Sequence, residues 1–452
     1  MATYKETFVV EASYKKWSFA LMAVGVVTLL LGSVFLAGDH KQDARFWSSL
    51  LYNSVFFLLV TNASMFFICA TTLAMGGWQM VFRRIPEAIS TCVKILGPIT
   101  FIILMCILFL DKTQIYHWLD DKIYGEFLAN GKPNPNYDVI LDGKHGFLNK
   151  NVFIIYTVLT LAGWIGLGLR MRKLSKESDT QNYTLEEGKK YIYKNTVSAA
   201  LFIVWFALTV ASVTPWIWIM SIDAHWYSTM FSWYNFASTF VSGMSLVAIY
   251  FIYLKTKGYL EYATEEHLHD IGKFMFAFSV FWTYLWFSQF MLIWYANIPE
   301  ETVYFKQRSQ GAYRGIFFLN LIINFLAPLL ILMKRGAKRN YMLITIMACI
   351  IIFGHWVDYF QMVQPGVVNN INSHIAHEVK HSMVGQSKAV IEAAVTAAID
   401  KEGLKPTLSW FEFGIAAGFI GIIMFATGRA LAKAPLLAKG HPFTKESLIH
   451  HT

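Results

Sequence analysis

The sequence predicts an all-α integral membrane protein with about ten transmembrane helices. Of its 452 residues, 56% are hydrophobic and only 15% are charged, whereas soluble domains usually carry about a quarter charged residues. The apolar residues come in blocks of roughly 20, which is the length that a helix needs to cross a hydrocarbon core of ~30 Å. Charged or Pro/Gly-rich segments separate these blocks. A single polytopic membrane domain is therefore expected over residues 1–452, without a nucleic-acid partner.

The ten predicted spans follow one another along the whole chain. Their boundaries are 17–37, 48–75, 91–110, 151–169, 197–219, 232–254, 272–296, 315–333, 341–363 and 409–428. The first block is too long for a signal peptide and no A-x-A-like cleavage site follows it, so it is predicted to remain as the first span. An even number of spans places both termini on the same side of the membrane.

Basic residues are distributed unevenly between the two sides. The segments on the side of the termini contain 22 Lys and Arg residues, and those on the other side contain 14. Because cytoplasmic segments carry the excess of Lys and Arg, both termini are predicted to be cytoplasmic, with a cytoplasmic tail over 429–452. On the outer side, residues 111–150 are expected to form an ordered loop with little regular structure. Residues 364–408 contain an Ala-rich segment with helical spacing, which predicts a short helix outside the membrane.

Ionisable residues within the predicted spans are few, and each is informative for that reason. His355 and Asp358 lie near the outer end of span nine, three residues apart and therefore on one helical face. Asp223 and His225 follow span five on the same side. The candidate residues that share this depth near the outer face are Asp223, His225, Gln289, His355, Asp358 and Glu412. Their depth follows from the predicted topology, whereas the sequence leaves their lateral arrangement open.

Two interpretations of this set remain open. Histidine titrates near neutral pH, and a carboxyl group in a perturbed environment can do so as well, so the set fits a quinol pocket or a proton-exchange site that opens outward. The alternative is capping and hydrogen bonding between helices at the membrane boundary. The inner half of the spans contains few polar groups, such as Asn62 and Asn324. An outer half-channel is therefore favoured over a complete proton pump.

A redox centre is not expected in this chain. A buried b-type haem generally needs an axial histidine from each of two facing helices, and only His355 lies well inside a predicted span. The four cysteines form no C-x-x-C motif, so an iron–sulfur or zinc site is not expected either. His374, His377 and His381 could share a helical face in the outer loop, but a solvated face is favoured over a metal site. The prediction is a chain with no covalent or metal cofactor.

Helix breakers within spans three, five and eight keep a stand-alone secondary transporter as the alternative function. These breakers are Gly97-Pro98, Thr214-Pro215 and Ala327-Pro328. Transporters place paired broken helices in corresponding halves of the chain, around a site at the midplane of the bilayer. Here the ionisable residues lie near the outer face, which weakens the transporter interpretation.

Four long motifs resemble a known family. SIDAHWYSTMFSWYNFASTFVSG and HDIGKFMFAFSVFWTYLWFSQFMLIWYANIPEE are similar to the NrfD/PsrC-like membrane subunits of bacterial alternative complex III. GHWVDYFQMVQPG and RALAKAPLLAKGHPFTKESLIHH narrow the resemblance to the ActF type, the sister of ActC. The resemblance covers nearly the whole chain. It departs at the insertion 369–406, where a much shorter connection is expected.

The resemblance implies a fold and a setting. It implies two four-helix bundles, one within 48–219 and one within 232–363, flanked by spans one and ten. It implies a subunit of a quinol:cytochrome c or quinol:oxidase electron-transfer complex in the bacterial cell inner membrane. The implied partners are an ActC-like sister membrane subunit, iron–sulfur and haem c subunits, and a terminal oxidase, with bound lipids around the chain.

The resemblance also implies different roles for this chain and for its sister subunit ActC. In that family the quinol site beside the iron–sulfur subunit belongs to ActC, so this chain is expected to carry no redox centre and not to be catalytic alone. It is expected to support the complex and to bind a quinone such as menaquinone, or to exchange protons, at the periplasmic face. Asp223, His225, His355 and Asp358 match the positions where the pocket of the fold would open.

Overall fold

Ten helices long and apolar enough to cross a membrane dominate the computed structural model of the chain. The structure describes residues 5–38, 40–127, 131–181, 183–383, 385–404 and 408–450, with only the backbone at His40 and Lys41. The helices are α1 (Ala12–Phe35), α2 (Gln42–Leu73), α3 (Arg84–Phe109), α4 (Lys150–Thr180), α5 (Leu185–Trp218), α6 (Met230–Thr256), α7 (Glu265–Ala296), α8 (Gly311–Leu332), α9 (Tyr341–Ser382) and α10 (Trp410–Leu431). No β-strand occurs within the described ranges. The predicted all-α, multi-pass membrane protein with ten apolar spans is confirmed.

Polar side chains cap the first turns of several helices. Before α5, the Thr184 hydroxyl accepts the Glu187 backbone N–H at 3.4 Å, and the Glu187 carboxylate accepts the Thr184 backbone N–H at 2.9 Å. Before α9, the Asn340 side chain accepts the Leu343 backbone N–H at 3.0 Å. The first N–H groups of a helix have no partner within the helix, so these side chains stabilise the first turn.

Helices α2 and α6 form the centre of the molecule. In each of them 83% of the most apolar stretch is buried, compared with 22% in α1. Helix α2 packs against α3, α5, α6, α9 and α10, and α6 packs against α7 and α9. Further pairs are α3 with α4, α4 with α5, α7 with α8, and α8 with α9. The peripheral helices expose large apolar side chains, as expected of surfaces that face lipid.

Helix α1 lies along α10 through a close backbone contact. A Cβ atom added at Gly25 would lie 2.4 Å from the Cα atom of Gly418. Small residues at this crossing let the two backbones approach closely, which is a common way to associate helices in lipid. The contact ties the first and last spans together beside α2.

Both described tails lie at one end of the helix array, which we call the terminus end. Thr7 pairs with Pro435 in a β-bridge. Glu11 contacts Lys257, at the end of α6, at 2.8 Å. The hydroxyl of Ser447 donates to the carbonyl of Trp78, in the α2–α3 connection, at 2.5 Å. Residues 451 and 452 of the tail lie outside the described part of the chain.

The connections at the other end of the array also contact one another, and we call this the opposite end. Lys112 and Asp43 form an ion pair at 2.8 Å. The Lys144 ammonium donates to the carbonyl of Ala224 at 2.6 Å. The predicted loop 111–150 contains only short helical turns and the helix Val139–Lys144, although residues 128–130 are not described.

Two of the predicted helix breakers produce π-helical turns. One spans Thr209–Val213 in α5, directly before Thr214-Pro215, and the other spans Ile322–Leu326 in α8, directly before Ala327-Pro328. Proline has no N–H and its ring crowds the preceding turn, so the chain widens there. Pro98 is accommodated within the helix Val93–Phe109.

Helix α9 is longer than the prediction. Span nine was predicted to end at residue 363, whereas α9 continues to Ser382. The Ala-rich segment forms the helix Lys388–Glu402, which packs back on α9. Together they make a helical hairpin of the insertion 369–406, of which residues 384 and 405–406 lie outside the description.

Candidate functional site

Asp358 is a buried carboxylate on α9, close to the opposite end. It is 2% exposed. Its donors come from three other helices: the Tyr234 hydroxyl of α6, the Trp282 Nε1–H of α7 at 3.1 Å, the Ser238 hydroxyl of α6 at 3.4 Å and the Asn320 amide of α8 at 3.5 Å. A buried charge is tolerated only when it is paired and hydrogen-bonded. Both oxygens of this carboxylate accept hydrogen bonds within the described residues.

His355 shares this site through a serine. The Ser238 Oγ lies 3.0 Å from His355 Nδ1, while His355 Nδ1 lies 3.9 Å from the Asp358 carboxylate. Nε2 of this fully buried imidazole has no hydrogen-bond partner within the described residues. If Nδ1 carries its hydrogen, His355 donates to Ser238 and Ser238 donates to Asp358. The three residues then form a continuous relay between two titratable groups.

Arg308 lies on the side of this site that is nearer the opposite end of the helix array. It lies in the helix Pro299–Ser309, between α7 and α8, and is 3% exposed. Its Nε donates to the backbone carbonyl of Gln361 at 3.0 Å. Pro365, four residues further along α9, has no N–H to donate to that carbonyl. The arginine therefore replaces the helix hydrogen bond that proline removes, and α9 can continue beyond the proline.

Asp223 joins the site through Arg308. The Arg308 Nη2 donates to the Asp223 carboxylate at 2.8 Å and to the Met362 carbonyl at 2.8 Å. Burial acts to lower the pKa of Arg308, but Tyr304 and Asp223 outweigh it and leave the pKa above its ordinary value. The guanidinium consequently stays charged. It links a carboxylate of the α5–α6 connection to the backbone of α9.

A small cavity separates Arg308 from Asp358. Its volume is about 20 Å³, enough for one water molecule. Gln289 of α7 lines it, and the Nε2 of Gln289 is buried without a partner in the described residues. The lining residues are Tyr234, Trp286, Gln289, Tyr304, Phe305, Arg308, Phe317, Asp358, Gln361 and Met362. Small-molecule pockets usually measure about 300 Å³ or more, so in this conformation the cavity accommodates water but not a quinone ring.

The charges of the site do not balance when both carboxylates are ionised. One guanidinium, that of Arg308, contacts Asp223 and lines the same small cavity as Asp358.

His225 lies apart from this buried group. Its side chain is 52% exposed, and its Nε2 lies 2.5 Å from the Asp138 carboxylate in the loop of the opposite end. Burial acts to raise the pKa of Asp138, but the backbone N–H of Leu141 and the neighbouring His225 lower it overall. The side chains of Asp223 and His225 therefore lie in different environments, although the two residues are only two positions apart in the sequence.

Glu412 also lies apart, between α10 and α2. Its carboxylate receives two hydrogen bonds from the Arg45 guanidinium, both at 2.8 Å. It also accepts the Ser409 backbone N–H at 2.8 Å and so caps the first turn of its own helix. These contacts match the capping alternative. The structure thus brings together Asp223, Gln289, His355 and Asp358, and it leaves His225 and Glu412 outside.

Sequence reasoning missed several members of the site. Tyr234 and Ser238 lie four residues apart on span six and so face the same way, a signal that could have been used. Arg308 was counted only as a charge of an outer connection. Its burial depends on the packing of the helix Pro299–Ser309 against α9, and no local sequence pattern predicts that packing.

The fold and the site define a multi-pass helical membrane protein with a donor-rich, buried carboxylate near one end of the helix array. The described residues contain no group of three or more His, Cys, Asp or Glu side chains that could hold a metal ion. No protein-family model matches the chain, and no curated protein sequence matches it.

Proposed function

We propose that the chain is the membrane-embedded, non-redox subunit of a quinol-oxidising electron-transfer complex of the alternative complex III type. In this proposal it sits in the bacterial inner membrane with cytoplasmic termini, beside an ActC-like sister subunit, iron–sulfur and haem c subunits and a terminal oxidase. The support is the set of four motifs in the sequence together with the ten apolar helices. The helix contacts agree with the proposed pair of four-helix bundles, since α2–α5 pack in one ring and α6–α9 in another.

The proposed task of this chain is proton exchange between the buried relay and the periplasmic face. Quinol oxidation releases protons as well as electrons, and in this proposal the sister subunit binds the quinol and passes its electrons to the redox subunits. His355, Ser238 and Asp358 would hold and transfer one proton. The water-sized cavity beside Gln289 would connect the relay to Asp223 at the opposite end. The observation that carries the proposal is the enclosed, donor-rich Asp358 carboxylate next to that cavity.

The experiment is the Asp358→Asn variant in the purified complex, reconstituted in proteoliposomes. We expect lower quinol-oxidation turnover or fewer protons released per quinol, because an amide cannot exchange a proton near neutral pH. Asp270→Asn is the matched control, since Asp270 is a buried, ion-paired carboxylate at the terminus end. Unchanged turnover and proton yield in Asp358→Asn would leave the residue with a structural role only.

Two further measurements separate this proposal from a stand-alone secondary transporter. Stable copurification with iron–sulfur and haem c subunits supports the proposal, whereas substrate transport by the isolated chain in liposomes would support the alternative. Orientation is tested with single cysteines at exposed positions, Lys122→Cys at the opposite end and Lys445→Cys in the tail, after replacement of the native cysteines. A membrane-impermeant maleimide should label the first from the periplasm and the second only after the inner membrane is opened.

A further inference from the structure

The part of α9 that extends beyond the predicted span carries the sequence HEVKH at residues 377–381. Its two histidines lie four residues apart, so their side chains share one face of the helix. Paired histidines with this spacing in an H-E-x-x-H pattern are a known way for a helix to bind zinc. Because α9 continues to Ser382, both histidines lie within the helix. The extension therefore presents two imidazoles in an arrangement that can chelate a metal ion.

The rings of His377 and His381 are close enough to share one ion. Their centroids lie 6.4 Å apart. Two imidazoles bound to a tetrahedral zinc ion through N–Zn bonds of about 2.0 Å have their centroids ~5 Å apart. Both side chains are exposed, so small rotations about their side-chain bonds close the difference without moving the backbone.

Both rings are also available for coordination. Neither forms a hydrogen bond or an ion pair within the described residues. The neighbouring histidines differ in this respect. His374 Nδ1 lies 3.5 Å from the Glu378 carboxylate, and His225 Nε2 lies 2.5 Å from the Asp138 carboxylate. A metal ion can therefore bind the pair His377 and His381 without breaking an existing contact.

The same contacts favour metal binding over metal-dependent hydrolysis. In hydrolytic H-E-x-x-H sites the glutamate is the general base, whereas Glu378 contacts His374 here. Such sites also use three protein ligands, and the described residues contain no group of three or more His, Cys, Asp or Glu side chains that could hold a metal ion. Water molecules would complete the coordination shell of an ion held by the two histidines.

We propose that His377 and His381 bind a divalent transition-metal ion such as Zn²⁺ or Cu²⁺ on the surface of the opposite end. Imidazole nitrogens suit these ions, whereas Mg²⁺ and Ca²⁺ prefer oxygen ligands. The bound ion would link two successive turns of the helical extension. This inference goes beyond the proposed proton exchange and does not depend on it.

The test is calorimetric titration of the full chain with Zn²⁺ in detergent, after purification through a tag without histidine. We expect His377→Gln and His381→Gln each to weaken binding at least about tenfold, because losing a ligand should cost no less than losing an outer-shell partner. Cu²⁺ should bind more tightly than Zn²⁺, and Mg²⁺ should not compete. His145→Gln is the matched control, since His145 is an exposed histidine at the same end of the array, and it should leave binding unchanged.

Hydrogen exchange then shows whether the ion is held on the helix. An ion that binds only the helical form of residues 377–381 stabilises that turn by mass action. With free Zn²⁺ ~100-fold above the dissociation constant, local opening should become about 100-fold rarer, and the His381 amide should exchange more slowly by the same factor. In the double variant His377→Gln/His381→Gln, Zn²⁺ should leave this exchange unchanged.

Two results would overturn the inference. The first is Zn²⁺ binding of wild-type affinity and stoichiometry in the double variant, which alters only exposed side chains and should keep the fold. The second is Zn²⁺ binding to the wild type that leaves exchange of the His381 amide unchanged. In either case the variant His225→Gln shows whether the ion belongs instead to the adjacent cleft of about 500 Å³, which His117, His225 and Asp138 line.

Discussion

Tyr234 of α6 donates its hydroxyl hydrogen to the carboxylate of Asp358 on α9, and both side chains are buried. This bond joins two of the most buried stretches of the protein. Trp282 of α7 donates to the other oxygen of the same carboxylate at 3.1 Å. With the Asn320 amide of α8 as a further donor, the carboxylate joins four helices and is also the centre of the candidate site. The two roles can be tested separately.

The Tyr234→Phe substitution should destabilise the protein without changing its fold. Removing the hydroxyl takes one donor from a buried carboxylate, a loss of about 1–3 kcal/mol. Thermal unfolding in detergent measures the change. Tyr313→Phe is the matched control, because the buried Tyr313 hydroxyl has no partner within the described residues, and its removal should cost little. Equal effects of the two substitutions would contradict the role assigned to the Tyr234 bond.

Arg308→Gln should be among the most destabilising single substitutions. It leaves Asp223 without its cation and the Gln361 carbonyl without a donor, and breaking a buried ion pair on one side typically costs about 3–5 kcal/mol. The double variant Arg308→Gln/Asp223→Asn should recover part of the loss, because it removes the unpaired charge. Arg314→Gln, an exposed arginine at the start of α8, serves as control. Additive losses in the double variant would show that the two residues are not coupled.

The positions of the spans could be predicted from hydropathy, but the length of α9 could not. After residue 363 the sequence turns polar and contains Pro365, both of which indicate the end of a span. The helix nevertheless continues to Ser382, because Arg308 supplies the hydrogen bond that the proline removes. That arginine is distant in sequence, so its effect on α9 belongs to the tertiary fold.

The depth of the candidate residues could likewise be predicted, whereas their grouping could not. Topology brings Asp223, His355 and Asp358 to one end of the array, and the structure joins them through Arg308 and Ser238. Residues at similar depth on other faces do not join. Glu412 is separated because α10 lies against α1 and α2, far from α7 and α8 in the contact pattern. The depth of a residue in the membrane follows from its position along its own helix. Its lateral position depends on how all ten helices pack.

Glu412→Gln should reduce stability without changing proton release. The substitution leaves Arg45 without its paired charge and weakens the cap of α10, at a cost of about 1–3 kcal/mol. In the proposed complex, the proton yield per quinol should match the wild type, because Glu412 does not contact the relay. Glu392→Gln, on the exposed helix Lys388–Glu402, is the control for stability. A proton yield that falls in Glu412→Gln would place this residue in the proton path instead.

The C-terminal tail should loosen in acid because of His441. Burial lowers the pKa of His441 to about 3, and the positive charge of Arg83 acts in the same direction. Nδ1 of the neutral ring accepts the Phe443 backbone N–H at 3.2 Å, and protonation would abolish that bond. The stabilisation is complete above the ordinary value of 6.5 and is lost progressively as the pH falls toward the folded value. Near pH 4.5 the loss should reach about 3 kcal/mol.

Hydrogen exchange of the amides in 433–450 measures this effect, after correction for intrinsic rates at each pH. Protection should fall between about pH 7.5 and about pH 4.5 in the wild type. His441→Asn keeps an acceptor for the Phe443 N–H but does not titrate, so its tail protection should depend much less on pH. The same acid response in both proteins would assign the loosening to other groups, among which Glu87 and Arg84 also face His441.

The most direct test of the central claim is infrared difference spectroscopy of the Asp358 carboxyl group in the proposed complex, in H₂O and in D₂O. If Asp358 exchanges protons with the periplasmic face through the small cavity, a carboxyl band that is absent in Asp358→Asn should appear on protonation. It should also shift within seconds of transfer to D₂O. A carboxyl group that never changes protonation during turnover, or one that exchanges as slowly as the core amides of α6, would contradict the account.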